Sequence, residues 1–256
     1  MRGMEPRYAV DALVTGFPGR STAHGPLGWS GITLVRGGGR TMLVDTGGFG
    51  LRGPLRAALA ERGVAPEEVT DVLLTHVHYD HAVNALLFER AQVWISGVDL
   101  EWACARRPGF DAVPELHAAA LARHSRTRRI AGDGEILPGV EAIAAPGHTP
   151  GSLAYRVAAA GAPVLFAGDA VKNRAELVSG EVDMTEDRAA SEASVRRLRE
   201  LWRAAPGTVL VPGHDRPMRV ASDGRPEYLD GRRAGIEAWF GDELHALTRF
   251  DLEPGT

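Results

Sequence analysis

Between residues 76 and 81 the chain reads His-Val-His-Tyr-Asp-His, which places four metal-binding side-chain types within six positions. On an extended segment side chains alternate, so His76 and His78 point the same way and can grip one ion together. Asp80 and His81 follow immediately and can serve a neighbouring ion once the chain turns. Imidazole nitrogen and carboxylate oxygen together suit zinc and, less selectively, iron or manganese. Three later positions repeat the theme singly: His148 in Ala-Pro-Gly-His, Asp169 in Phe-Ala-Gly-Asp and His214 in Val-Pro-Gly-His. One scheme thus absorbs five of the nine histidines. Nothing else in the chain reads as a nucleophile. Gly28-Trp-Ser-Gly-Ile32 is not a serine elbow, and the single cysteine, Cys104, has no partner beside it.

These donors need elements to hold them. Apolar runs at 8–14, 32–35 and 41–45, the last two separated by Arg-Gly-Gly-Gly-Arg, read as strands with a hairpin. Residues 51–63 read as a helix, with Leu55 and Leu59 one turn apart and Gly63 placed to end it. The short run 71–75 reads as a buried strand leading into the histidine motif. A strand at 91–96 follows, then a single polar helical stretch over about 99–126. The second half begins again with strands at 140–146 and 152–169, the latter turning near Gly161. A helix over about 186–203 and a strand at 208–215 complete it. Strands, helix and strands recur twice, which predicts two similar α/β halves packed sheet on sheet with helices outside. Every candidate ligand falls at or just after a strand end, where α/β folds place their sites.

The chain resembles the metallo-β-lactamase superfamily: Thr-His-Val-His-Tyr-Asp-His, Pro-Gly-His, Gly-Asp and Pro-Gly-His match its signature in order and spacing, over about residues 8–217. Leu-Val-Asp-Thr-Gly-Gly around Asp45 is similar to the family's early aspartate motif. The resemblance implies an α/β, four-layer αββα sandwich and a binuclear site. In it His76, His78 and His148 hold the first metal and Asp80, His81 and His214 the second, with Asp169 between them. Asp45 then orients a ligand without touching metal. Two ions about 3.5–4 Å apart can share a water and lower its pKa toward neutrality, giving a bridging hydroxide that attacks a carbonyl or phosphoryl centre. Asp80 is the expected proton shuttle.

The resemblance also sorts the branches. Aspartate at 169 replaces the cysteine ligand of many true lactamases and is typical of glyoxalase II, acyl-homoserine lactonases and phosphodiesterases. Against the first two stands Asp-His-Ala-Val-Asn at 80–84, where they usually carry a glycine pair. The position three residues after Asp169, a tyrosine in lactonases, is Lys172, the only lysine among 29 basic residues. Lys172 is expected to bind a substrate carboxylate or an oxyanion, with a solvated surface lysine as the plain alternative. The leading expectation is hydrolysis of an ester, thioester or lactone at two ions, most simply zinc. The alternatives are a phosphodiesterase or nuclease, since the chain also resembles small stand-alone members with a nuclease role, and a mononuclear iron oxygenase of the persulfide-dioxygenase kind.

The substrate pocket is expected from 21–31, from an insert at 97–127 with Trp102, Phe110, His117 and His124, and from 173–184. For His24, His117 and His124 alike a plain surface position is the favoured reading, and Trp29 and Trp102 are equal candidates for lining the pocket. The whole chain, 1–256, reads as one domain with an extension after about 217. Within it, 236–240 and 244–250 are amphipathic and suit core or a homodimer contact. A formal charge of −4 argues against nucleic acid as a partner. A small-molecule substrate fits better. No apolar run has the length of a membrane span and the first residues carry no leader pattern; with one cysteine, a cytoplasmic protein is expected.

Overall fold

The computed structural model describes residues 7–109 and 111–252. The first half runs β1 (Ala9–Val14), β2 (Ile32–Gly37), β3 (Arg40–Val44), α1 (Arg52–Glu61), β4 (Asp71–Leu73), α2 (Tyr79–Ala82), β5 (Gln92–Ser96), α3 (Gly97–Ala105), α4 (Glu115–Arg123) and β6 (Thr127–Ile130). Its six strands form one sheet in chain order. β1, β2 and β3 pair antiparallel, whereas β3, β4, β5 and β6 run parallel.

The second half contains β7 (Gly134–Leu137), β8 (Val140–Ala144), β9 (Leu153–Val157), β10 (Val164–Gly168), α5 (Arg174–Ser179), α6 (Arg188–Ala204), β11 (Val209–Pro212), β12 (Met218–Val220) and β13 (Pro226–Tyr228). They make a seven-stranded sheet ordered β13-β12-β11-β10-β9-β8-β7, in which β10 and β11 are the parallel pair. A separate hairpin, β14 (Gly235–Trp239) with β15 (Leu247–Asp251), follows.

Strand alternation builds the layers. On β2 and β3, Leu34 and Leu43 face α1 and α3, packing with Leu55, Leu59 and Leu100. Their neighbours Val35, Met42 and Val44 face the other way and meet Tyr155, Val157 and Phe166 of the second sheet. On that sheet Leu165 and Leu210 turn outward beneath Val195, Leu198 and Trp202 of α6. Helix, sheet, sheet, helix is therefore the order, the αββα sandwich expected. Each fully buried aliphatic side chain in these layers contributes roughly 1.5–3 kcal/mol.

Two expectations are corrected, and four short strands are added. The continuous helix over 99–126 is two helices, because Pro108, Gly109 and Pro114 interrupt it; Ser96 caps the first by accepting from Asp99 N. Strands β6, β7, β12 and β13 are short and carry no strong alternation in sequence. The tail around 236–250 is not core: Trp239 and Phe240 are 57% and 74% exposed on the hairpin.

Candidate metal centre

The four donor-bearing turns leave strand ends at one edge of the sandwich, His76 after β4, His148 after β8, Asp169 after β10 and His214 after β11, with Asp45 after β3 beside them. The turns are tight. Gly168 sits at φ 51, and a Cβ there would lie 2.6 Å from Thr75 Cβ. A Cβ on Gly213 would meet Asp169 Oδ1 at 2.0 Å, so glycine is what lets His214 and Asp169 share one edge.

The side chains converge as three overlapping triads, His76–His78–His148, His76–His81–Asp169 and Asp80–His81–His214, each with donor atoms within 4.8 Å of one another. His78 Nδ1 lies 2.9 Å from His148 Nε2. His81 Nε2 lies 3.2 Å from Asp169 Oδ1, and His214 Nε2 lies 3.2 Å from Asp80 Oδ2. Asp169 Oδ2 reaches both His148 Nε2 at 3.4 Å and His214 Nε2 at 3.3 Å, so this one carboxylate touches both ends of the cluster.

Surrounding groups fix which nitrogen three of the rings present. His148 Nδ1 donates to Met184 O at 3.0 Å, leaving Nε2 for the centre. His81 Nδ1 donates to Asp45 Oδ2 at 2.8 Å, again leaving Nε2. Thr75 Oγ1 donates to the same carboxylate oxygen at 2.8 Å, so its lone pair accepts from His76 Nδ1 at 3.1 Å. His76 Nε2 is then a buried lone pair with no hydrogen-bond partner, and Asp169 Oδ1 makes no hydrogen bond, though His81 Nε2 faces it at 3.2 Å. Two ring nitrogens only 2.9 Å apart, a buried nitrogen without a hydrogen-bond partner and a buried carboxylate oxygen that makes no hydrogen bond are what a divalent cation satisfies. The donor set fits a metal.

Electrostatics divides the cluster. Burial, together with the neighbouring imidazoles, holds His76 well below the ordinary histidine range. Burial also lowers His78, and takes His148 down to about 3, against the pull of Asp169. Burial pushes the same way on His81 and His214, but Asp169 and the other carboxylates outweigh it. His81 is raised well above the ordinary range, and His214 rises to about 10. Asp80, resisted by burial, is carried down to about 2 by His81 and His214, and Asp169 is held well below the carboxylate range by the same two rings.

Residues outside the recognised motifs complete the scaffold. Asn84, the departure from a glycine pair, is fully buried; its Nδ2 lies within 3.0 Å of Thr46 O and Gly47 O and 2.8 Å of Gly48 O. Its Oδ1 accepts from Arg52 Nε at 2.8 Å, so it anchors the loop that follows Asp45. Ser30 Oγ donates to Asp80 O, which gives the Gly-Trp-Ser-Gly stretch a structural role. Thr75, next to the first histidine, could have been read from its place in the motif; Met184 and Glu176, distant in sequence, carried no signal.

Lys172 is not a solvated surface lysine. Its Nζ pairs with Glu176 Oε1 at 2.8 Å and donates to Asp183 O at 2.7 Å, with 14% of the side chain exposed. Its charge helps lower His148, which places it within electrostatic reach of the centre. Trp102 approaches His78, with ring centroids 6.2 Å apart. His117 stacks edge-on against Phe49 at 5.4 Å. His24 is exposed, Trp29 packs on Phe17 beneath the 21–31 loop, and His124 is half-buried away from these contacts. Phe110 lies outside the described residues.

Comparison with known proteins agrees with this geometry. The metallo-beta-lactamase superfamily profile matches residues 30–214, spanning all seven donors. Human metallo-beta-lactamase domain-containing protein 1 is 33% identical over 239 residues, covering 90% of this chain and 80% of its own. An N-acyl homoserine lactonase from Bacillus thuringiensis is 27% identical over 65% of this chain and 64% of its own. The solved structure of a dizinc quorum-quenching lactonase superposes with a TM-score of 0.64 at 18% identity, covering 88% of this chain and 92% of that one. The chain belongs to the metallo-β-lactamase superfamily. It is a hydrolase-type member of that fold whose histidine–aspartate cluster suggests divalent metal binding.

Proposed function

We propose that this protein is a binuclear metallo-hydrolase acting on a small carbonyl compound, an ester, thioester or lactone, with a preference for substrates carrying a carboxylate. The observation that carries it is the convergence of seven donors with Asp169 in contact with both ends. His76, His78 and His148 would hold one ion and Asp80, His81 and His214 the other, zinc being the simplest choice for nitrogen and oxygen donors. When bound, such a pair supplies an acidified water and polarises the carbonyl oxygen.

The chain's own residues do the rest. The buried Asp169, with 6% of its side chain exposed, sets Oδ2 between His148 and His214 and Oδ1 against His81. Asp80 is more open at 19% and stays ionised, so it is the carboxylate able to accept a proton and pass it to the leaving group. Lys172 is a cation already positioned by Glu176 near His148, suited to hold a substrate carboxylate. We place the protein in the cytoplasm; among the described residues no helix is long and apolar enough to cross a membrane.

A panel of p-nitrophenyl esters, thioesters, lactones and bis-p-nitrophenyl phosphate, run with zinc and with manganese, tests the reading. Turnover of carbonyl substrates with two metals per chain supports it. Cleavage of the phosphodiester alone overturns the substrate class, and one iron per chain overturns the two-zinc centre.

A further inference from the structure

Away from the metal cluster, a cavity of about 680 Å³ opens between α5, α6 and the β12–β13 turn. Four arginines line it: Arg174 on α5, Arg199 and Arg203 on α6, and Arg225 on the turn. Arg199 and Arg203 stand four residues apart on one helix face, where like charges oppose each other. Among the described residues no carboxylate comes within 4.0 Å of the guanidinium groups of Arg174, Arg199 or Arg203. Arg199 and Arg203 reach only the carbonyls of Leu177 and Gly224, each at 3.5 Å. Arg225 meets Asp223 loosely, at 3.9 Å, with both side chains largely exposed.

Several arginines elsewhere are closely paired, as Arg36 with Asp11, Arg106 with Asp111 and Arg219 with Glu227, but in the groove three stand together without a carboxylate. The groove is thus a local concentration of unneutralised positive charge on a chain whose net charge is −4. Its remaining walls are apolar: Val178, 56% exposed, the buried Leu177 and Pro226. Tyr228 closes one side. Its ring lies under Arg216 at 3.8 Å and Arg174 at 5.2 Å, and its hydroxyl donates to Asp215 Oδ2. Arg216 Nε is itself buried without a partner.

We propose that this groove binds a small organic phosphate, its phosphoryl oxygens on the guanidinium groups of Arg174, Arg199 and Arg203 and its apolar part against Val178 and Pro226. Guanidinium forks match phosphate geometry and gain most where no carboxylate competes. The volume suits a small ligand, within the usual range of about 300–1,000 Å³. A local pocket on an acidic chain also favours a small phosphate over a nucleic-acid strand, which wants an extended basic track. The groove is connected to the metal site by one residue: Asp215, next to His214, accepts from Tyr228 Oη at 2.8 Å and from Arg174 N at 3.0 Å.

The test is calorimetric titration of the metal-loaded protein with ADP, with pyrophosphate and with a single-stranded RNA decamer. It is run on wild type, on the Arg199→Ala/Arg203→Ala double variant, on Arg225→Ala and on Arg219→Ala, which lies outside the groove. Thermal melts of each variant confirm folding, and both double-variant positions lie on a helix face turned to the groove. Saturable ADP binding to wild type and to Arg219→Ala, weakened at least about tenfold in the double variant, is the expected result. Equal ADP affinity in the double variant, together with competition against an ester substrate, places the phosphate on the metals and overturns the proposal. No saturable binding of ADP or pyrophosphate at millimolar concentration overturns it as well. Tighter binding of the RNA than of ADP, with a salt slope of several phosphates, makes the groove a nucleic-acid site and refutes the small-ligand reading. The binding outcomes are read by calorimetry and do not depend on which carbonyl substrate the enzyme turns over; only the competition arm uses an ester.

Discussion

Asp45 offers the sharpest probe of how the metal centre is held. It sits at φ 56, a left-handed conformation that asparagine tolerates almost as well as glycine, so Asp45→Asn removes the charge while keeping the backbone. Asp45 Oδ1 accepts from Thr75 N at 2.8 Å, and Oδ2 accepts from both Thr75 Oγ1 and His81 Nδ1 at 2.8 Å. An asparagine can place its single oxygen at only one of these ends. With oxygen at the first end, its NH2 faces His81 Nδ1, which must then lose its proton and push it onto Nε2, the nitrogen aimed at the cluster. With oxygen at the second end, the NH2 opposes the backbone N–H of Thr75 and leaves a buried donor unsatisfied, at about 1–3 kcal/mol. Either route should weaken the ion bound through His81 by about 10–100-fold, the usual range for losing such an orienting contact. The ion at His76, His78 and His148 should be kept, because Met184 O still fixes His148. Competition titration of the metal-free protein against a chromophoric zinc chelator resolves the two affinities. Two unchanged affinities, or equal loss at both, would refute the assignment of Asp45 to His81.

Four further outcomes are expected. Lys172→Ala should lower kcat/KM for carboxylated esters at least about tenfold more than for matched neutral esters, and equal losses would remove the lysine from substrate recognition. The same change leaves Glu176 buried without its cation, which should cost about 3 kcal/mol and appear as a lower melting temperature partly recovered in the Lys172→Met/Glu176→Gln double variant. Gly168→Ala puts a Cβ 2.6 Å from Thr75 Cβ at a positive φ, for a loss of about 2–4 kcal/mol and a Tm fall of about 5–15 °C; an unchanged Tm would show the turn to be more pliant than its geometry. Zinc uptake at neutral pH should release at least about two protons per chain, because His81 and His214 (the latter at about 10) carry protons in the metal-free state that ligation displaces, and an acidified water adds to the count. Since a raised histidine pKa makes protons competitors, affinity should rise with pH, and calorimetry in buffers of different ionisation enthalpy measures the count.

The donors could be read from sequence because each is tied to a backbone feature with its own signature. The parallel strands β4, β10 and β11 are continuous apolar runs, and glycine precedes Asp169 and His214 where the turn leaves no room for a Cβ. The long insert keeps a helical pattern across two separate helices, and Pro108 and Pro114, which lie between them, are the signal that divides it. Strands β12 and β13 were unreadable for a different reason: three residues each, they exist only by pairing with β11 and with each other. Lys172 was singled out by its offset from Asp169. Its partner Glu176 was invisible because the pairing depends on a short helix, α5, folding the chain back one turn.

The same contacts explain how so many donors can sit together before any ion arrives. His76, His78 and His148 are each held below the ordinary histidine range, so that triad is neutral at pH 7 and offers lone pairs. His81 and His214 are charged by Asp80 and Asp169, so the second triad carries two protons balancing two carboxylates. An ion entering the first triad brings new positive charge toward Asp169 and needs no proton to leave. An ion entering the second replaces the two protons with two positive charges, leaving the local balance unchanged. The first site should therefore fill with little pH dependence and the second with steep pH dependence, so lowering the pH should empty the Asp80–His81–His214 end first.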